Sequence, residues 1–73
     1  MKTGFLLINT VPNAEHEVYN QLKKHENITE IYPLFKEYDL IAKINYDTRE
    51  NLSDFISDEI RIINGVLDTK ILH

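Results

Sequence analysis

Lys36, Glu37, Tyr38 and Asp39 put a cation, an anion, a phenol and a second anion side by side at one turn of the chain. Such a set can hold a small zwitterion: Asp39 accepts from an ammonium group, and Lys36 or nearby backbone N–H groups meet a carboxylate. The same four residues also suit an ordinary polar hairpin turn, where polar side chains serve solvation and turn chemistry. Nowhere else do several chemical types of side chain converge at a turn.

Other chemistries find less support. A zinc-protease helix needs two histidines four apart around a glutamate, whereas His16-Glu17 is followed at that spacing by Asn20. His25 reads as a cation at a helix C-terminus and His73 as a chain end, so no metal site is expected. Cysteine is absent, which removes disulfides, thiolate metal sites and cysteine nucleophiles, and Ser53 and Ser57 have no histidine at helical spacing. Asp54, Asp58 and Glu59 read as a solvated helix face. Neither glycine lies in a phosphate-cradling pattern, since Gly4 opens a strand and Gly65 closes a helix. No cofactor is therefore expected.

The elements that hold the polar turn follow from periodicity. Residues Ile31 to Tyr46 read as two strands folded back around residues 36–39, the second strand being Leu40 to Tyr46. Pro33 cannot donate to a ladder, so the first of these strands, which begins near Ile28 and is strongest from Ile31 to Phe35, belongs at a sheet edge or at a bulge. Before them come a strand over Thr3–Asn9 and a helix over Ala14–Lys24, with Asn13 as its expected N-cap and a stripe of Ala14, Val18, Tyr19 and Leu22. After them, Asp47 and Glu50 have capping-box spacing for a helix over Thr48–Ile63. Its stripe is Leu52, Phe55, Ile56, Ile60 and Ile63, Gly65 ends it, and Val66–Leu72 is the last strand.

The order β-α-β-β-α-β, with right-handed crossovers, gives an α+β fold of ferredoxin-like type: a four-stranded antiparallel sheet with both helices on one face. The first strand carries Phe5, Leu6, Leu7 and Ile8 in succession, so both of its faces are apolar, and Ile41 adds to the second face from the third strand. Two helices cover one face only. The other is expected to pair with a second copy, giving a dimeric α+β barrel.

The totals agree with this picture. Seventy-three residues make one domain, residues 1–73, and a chain of that size buries only about 60% of its unfolded surface, which makes association a natural supplement. With 42% hydrophobic and 27% charged residues the composition is globular, and a net charge of −4 argues against a nucleic-acid footprint. No apolar run approaches a membrane span and the N-terminus lacks a signal-peptide pattern, so a cytoplasmic location is expected.

The run Glu37-Tyr38-Asp39-Leu40-Ile41-Ala42-Lys43-Ile44 resembles the hairpin of the Lrp/AsnC effector domain, also called the regulation of amino-acid metabolism (RAM) domain. Supporting matches are Leu7-Ile8-Asn9-Thr10 ahead of Pro12, Val18 and Leu22 on the first helix, Ile31-Tyr32 before the hairpin, and Asn64-Gly65-Val66 before a strand with Thr69. The resemblance covers essentially the whole chain. It implies a ferredoxin-like domain that pairs through its sheets into homodimers, which assemble further into octamer-like rings, and a small amino acid bound between dimers near the hairpin. It also implies a stand-alone effector domain, because full-length members carry a helix-turn-helix ahead of the first strand. By that resemblance Lys36, Tyr38, Asp39 and Thr69 are the ligand-binding positions. The chain departs from the family in having Lys36 where a glycine precedes Glu-Tyr-Asp, and a single threonine, Thr69, where two are common.

The reading that results is a non-enzymatic, amino-acid-responsive module of transcription regulation. It acts through full-length relatives without touching DNA or membrane itself. The alternative is a pure assembly module whose small-molecule site is closed by Lys36. An enzyme would need a polar group in the pocket between helices and sheet, where the inward stripes offer only Tyr19 and Tyr46.

Overall fold

The computed structural model describes residues 1–72; His73 lies outside the described residues. Four strands and two helices run in the order β1 (Lys2–Thr10), α1 (Glu15–Leu22), β2 (Ile28–Pro33), β3 (Leu40–Tyr46), α2 (Arg49–Phe55) and β4 (Val66–Leu72), with a π-helical turn over Ile56–Ile60 continuing α2. All pairings are antiparallel and the sheet order is β2-β3-β1-β4, the expected ferredoxin-like arrangement. The strand with the unbroken apolar run, β1, takes a central place with a neighbour on each side.

Alternation along β1 decides which face is the core. Leu6 and Ile8 are buried, together with Ala42 and Ile44 of β3, Val18 and Leu22 of α1, and Leu52, Ile56 and Ile60 of the second helical segment. Residues directly opposite in an antiparallel pair share a face, so Leu6↔Ala42, Ile8↔Leu40 and Ile8↔Thr69 all belong to the helix-covered side. Phe5, Leu7, Ile41, Tyr32 and Leu72 then stand on the open side by the pairings Leu7↔Ile41, Tyr32↔Ile41 and Phe5↔Leu72. Of these, Phe5, Tyr32 and Leu72 are exposed and Leu7 and Ile41 half-buried. As expected from Pro33, β2 is an edge strand, and its register with β3 also shifts between Ile28 and Glu30.

Three local expectations are corrected. Asn13 does not cap α1: it sits at φ +71°, a left-handed turn conformation that Asn tolerates, and Ala14 occupies the cap position without a side-chain hydrogen bond. The turn is closed instead by the backbone, with Ala14 N–H donating to the Val11 carbonyl at 2.9 Å. The cap of α2 lies one residue beyond Asp47, where the Thr48 hydroxyl accepts from Asn51 N–H at 3.0 Å. The second helix is also not α-helical throughout, since Arg61 N–H donates to the Ile56 carbonyl, five residues back. The spacing of Leu52, Ile56 and Ile60 supplies a reason. Steps of four residues overshoot a 3.6-residue turn, and one wider turn takes up that drift, keeping all three side chains on the core.

Lys23, Lys24 and His25 lie beyond the end of α1 rather than in its last turn. His25 packs edge-on against Phe55, ring centroids 5.2 Å apart. The second helical segment ends at Ile60 with Arg61 as its C-cap, earlier than the expected Ile63, and Gly65 lies in the turn ahead of β4 at φ +105°, where a Cβ would also come within 3.0 Å of Ala14 Cβ and 3.1 Å of Val18 Cγ2.

Candidate functional site

The six residues between β2 and β3 are fastened at their base and free above it. Asp39 N–H donates to the Ile8 carbonyl at 2.9 Å, carrying the β1–β3 ladder past Ile8↔Leu40, and Leu34 N–H donates to the Asp39 carbonyl at 2.8 Å. The Asp39 carboxylate turns towards the end of β1, where Oδ2 accepts from Thr10 N–H at 2.8 Å and from Thr10 Oγ1 at 3.2 Å. Thr10 is buried, so this carboxylate satisfies a main-chain donor that water does not reach.

Above that anchor lies a groove of about 500 Å³ lined by Leu7, Pro33, Leu34, Phe35, Lys36, Glu37 and Tyr38. Its wall is mostly apolar and its ionic groups are Lys36 and Glu37. Leu7 places the groove on the open face of the sheet, next to Tyr32 and Ile41. Phe35 is almost fully exposed at the rim. The groove thus offers opposite charges on adjacent residues over an apolar bed, which suits a zwitterion carrying an apolar side chain.

Of the four positions expected to bind ligand, Lys36 and Tyr38 come together in this groove. Asp39 stands at its base with one carboxylate oxygen committed to Thr10. Thr69 is elsewhere: it lies opposite Ile8 on the helix-covered face, and its hydroxyl accepts from Arg61 Nε at 3.3 Å. Glu37, the other acid of the polar turn, also lines the groove, and Phe35 and Leu7 line it without having been named as ligand contacts. Their signal was present in the alternation of β1, which puts Leu7 on the face away from Leu6 and Ile8.

Farther along the open face, Glu30 bridges two partners. Tyr32 OH donates to one carboxylate oxygen, and Lys43 Nζ lies 3.1 Å from the other. The Tyr32 hydroxyl, followed by Lys43, holds the Glu30 carboxyl below its ordinary value of 4.5, and the same contact raises the Tyr32 phenol above 10.0. A depressed carboxyl stabilises the fold fully above its ordinary value and loses that contribution as pH falls through the lowered one. For Tyr32→Phe the Glu30 titration midpoint, followed by side-chain carboxyl NMR, is expected to move up towards 4.5. An unmoved midpoint would contradict this account of the contact.

Among the described residues no three His, Cys, Asp or Glu side chains gather into a metal-binding group, and no helix is long and apolar enough to cross a membrane. Tyr19 lies under the Lys23 ammonium, 5.1 Å from its ring centroid, while Tyr46 packs over Gly4.

A family model described as the Lrp/AsnC ligand binding domain matches residues 3–72. The HTH-type transcriptional regulator FL11 of Pyrococcus abyssi (strain GE5 / Orsay) is 37% identical over 66 residues, which are 90% of this chain and 43% of that protein. The chain therefore spans less than half the length of the curated relatives it matches. The crystal structure of FFRP-DM1 aligns at a TM-score of 0.92 and 35% identity, covering 99% of this chain and 96% of that one. The complex of the Neisseria meningitidis transcriptional regulator NMB0573 with L-Met aligns at 0.87 and 17% identity over 96% of this chain and 47% of that one, a likeness of fold.

Proposed function

Since the chain belongs to the Lrp/AsnC ligand-binding domain family, we propose that it is an amino-acid-responsive assembly module of transcription regulation, acting as a homodimer and through co-assembly with helix-turn-helix relatives. The observation that carries this reading is the groove at the β2–β3 loop, with Lys36 and Glu37 over an apolar bed of Leu7, Leu34 and Phe35. In the proposed complex Lys36 meets the ligand carboxylate, Glu37 meets its ammonium group, and Tyr38 and the apolar wall take its side chain. Asp39 holds the loop in place through Thr10. Thr69 is assigned no contact with this ligand, because it faces the other side of the sheet.

The mechanism is linkage. A ligand bound better by one assembly than another shifts the equilibrium by its differential affinity, and no chemical step is needed. The relatives support this class, being named as transcription regulators; the L-Met bound to the Neisseria protein supports an apolar amino acid. The test is a titration with L-methionine, L-leucine and L-phenylalanine, read by calorimetry and by the fluorescence of the tyrosines, since tryptophan is absent. Saturable binding that weakens at least tenfold in Lys36→Glu is expected. Equal affinity in both proteins would overturn the assignment of Lys36.

The homodimer is proposed on the open face, where Phe5, Leu7, Tyr32, Ile41 and Leu72 form an apolar surface that the helices leave uncovered. Ile41→Asp places a charge at its centre and is expected to yield monomers by light scattering at concentrations where the parent is dimeric. A dimer of unchanged mass in the variant would exclude this face.

A further inference from the structure

The second helical segment carries two rows of residues at steps of four. Leu52, Ile56 and Ile60 form the buried row, and Ser53, Ser57 and Arg61, each one position further along the chain, form an exposed row beside it. In a regular helix such rows drift around the axis. The π-helical turn over Ile56–Ile60 takes up the drift for both, so the two hydroxyls and the guanidinium stay in line beside β4. Single wide turns of this kind recur at functional sites.

Thr69 and Ile71 face the helices through the pairings Ile8↔Thr69 and Leu6↔Ile71, and with the exposed row they wall a groove of about 410 Å³. Lys70 also lines it, but its pairing with Leu7 directs its side chain to the open face, which makes Arg61 the cation of the groove. The Thr69 hydroxyl accepts from Arg61 Nε at 3.3 Å, which steadies the guanidinium and leaves its Nη groups for another acceptor. No carboxylate of the described residues pairs with Arg61, although the chain carries a net charge of −4. Asp54 and Asp58 follow the two serines in sequence but are not part of the groove wall. A cation and three hydroxyls thus meet without an anion among them. The groove at the β2–β3 loop differs on that count, because Glu37 stands there beside Lys36.

This set of donors suits an oxyanion with more than two oxygens. A guanidinium presents parallel N–H donors to two oxygens of one group, which satisfies a planar carboxylate by itself. Side chains four apart on a helix have Cβ atoms roughly 5–6 Å apart, so the Ser53 and Ser57 hydroxyls can both reach the remaining oxygens of a tetrahedral group seated between them. We propose that the groove binds a phosphate group, free or esterified to a small molecule, with Arg61, Ser53 and Ser57 donating to its oxygens and Thr69 positioning Arg61. The groove is larger than a phosphate group needs, and Ile56 and Ile71 give an attached organic part an apolar floor.

The test is a calorimetric titration of the full chain with inorganic phosphate and with ribose 5-phosphate at constant ionic strength, acetate serving as the carboxylate control. Saturable binding of one phosphate group per chain is expected, with amide NMR shifts centred on residues 53–61 and 69–71. Arg61→Gln is expected to weaken it at least tenfold and Ser57→Ala severalfold. Lys24→Gln, which removes an equal charge beyond the end of α1, is expected to leave the affinity unchanged. All three positions are exposed, so the variants retain the fold. Tighter binding of the ester would identify a phosphorylated small molecule as the ligand, and equal affinity would identify free phosphate. Absence of saturable binding by either, equal affinity for acetate, or an affinity indifferent to Arg61→Gln would overturn the proposal. No amino acid enters the titration, so its result is independent of the ligand at the β2–β3 loop.

Discussion

Leu6→Ala is expected to cost about 2–5 kcal/mol of folding stability, the range for deleting a fully buried leucine side chain. Leu6 has no exposed surface, sits on a central strand, and is paired with Ala42 on one side and Ile71 on the other. Its small neighbour Ala42 cannot fill the void, so the cavity persists and the loss should fall in the upper part of that range. For a domain of this length total stability is on the order of 4–11 kcal/mol. The variant should melt roughly 10 °C or more below the parent at equal protein concentration. The consequence reaches the site, because β1 carries Leu6 on one face and the groove residue Leu7 on the other. Chemical denaturation measures the effect, and a loss below about 1 kcal/mol would mean that the core does not close around Leu6.

Asp39→Ala should cost about 1–3 kcal/mol, since it leaves the buried Thr10 N–H without an acceptor. Asp39→Asn keeps a carbonyl oxygen that can accept from the same donor, so its cost should be clearly smaller. That ordering separates two roles for one carboxylate. A group whose main work is to hold Thr10 loses stability in the alanine variant and recovers much of it in the amide. If its main work were to meet a ligand ammonium, both variants would bind poorly with near-parental stability. By contrast Lys36→Met, on an exposed loop residue, should change stability by about 0.5 kcal/mol or less. Denaturation curves of the three variants together decide between the roles.

The fold was readable because its signals were periodic and consistent. Two-sided apolar content in β1, Pro33 calling for an edge or a bulge, and the glycine ahead of the last strand each left few physical solutions, and the β4 bounds follow from that glycine. Helix starts were less readable. Asn13 and Asp47 both have the chemistry of a cap, but Asn is equally suited to a left-handed turn, and Thr48 follows Asp47 directly. The π-helical turn left no mark beyond the four-residue spacing of Leu52, Ile56 and Ile60. At the site, residue types revealed that residues 36–39 could bind a zwitterion, but not how the two acids divide. That division depends on contacts between residues 29 positions apart, Thr10 and Asp39, which local spacing cannot reveal. Where Thr69 stands relative to the other three within one chain was hidden for a related reason: facing depends on strand register, and β4 pairs with β1 on the side away from β3.

In the proposed function an apolar amino acid seated at the β2–β3 loop changes how this chain assembles. Its most direct test is the solution mass by multi-angle light scattering across a protein dilution series, with and without saturating L-methionine, L-leucine or L-phenylalanine. At least one of them is expected to move the dimer-to-larger-assembly midpoint severalfold in concentration, and Lys36→Glu to abolish the movement. Superimposable curves for all three ligands, on a well-folded parent, would contradict it and leave a module that assembles without a small-molecule signal.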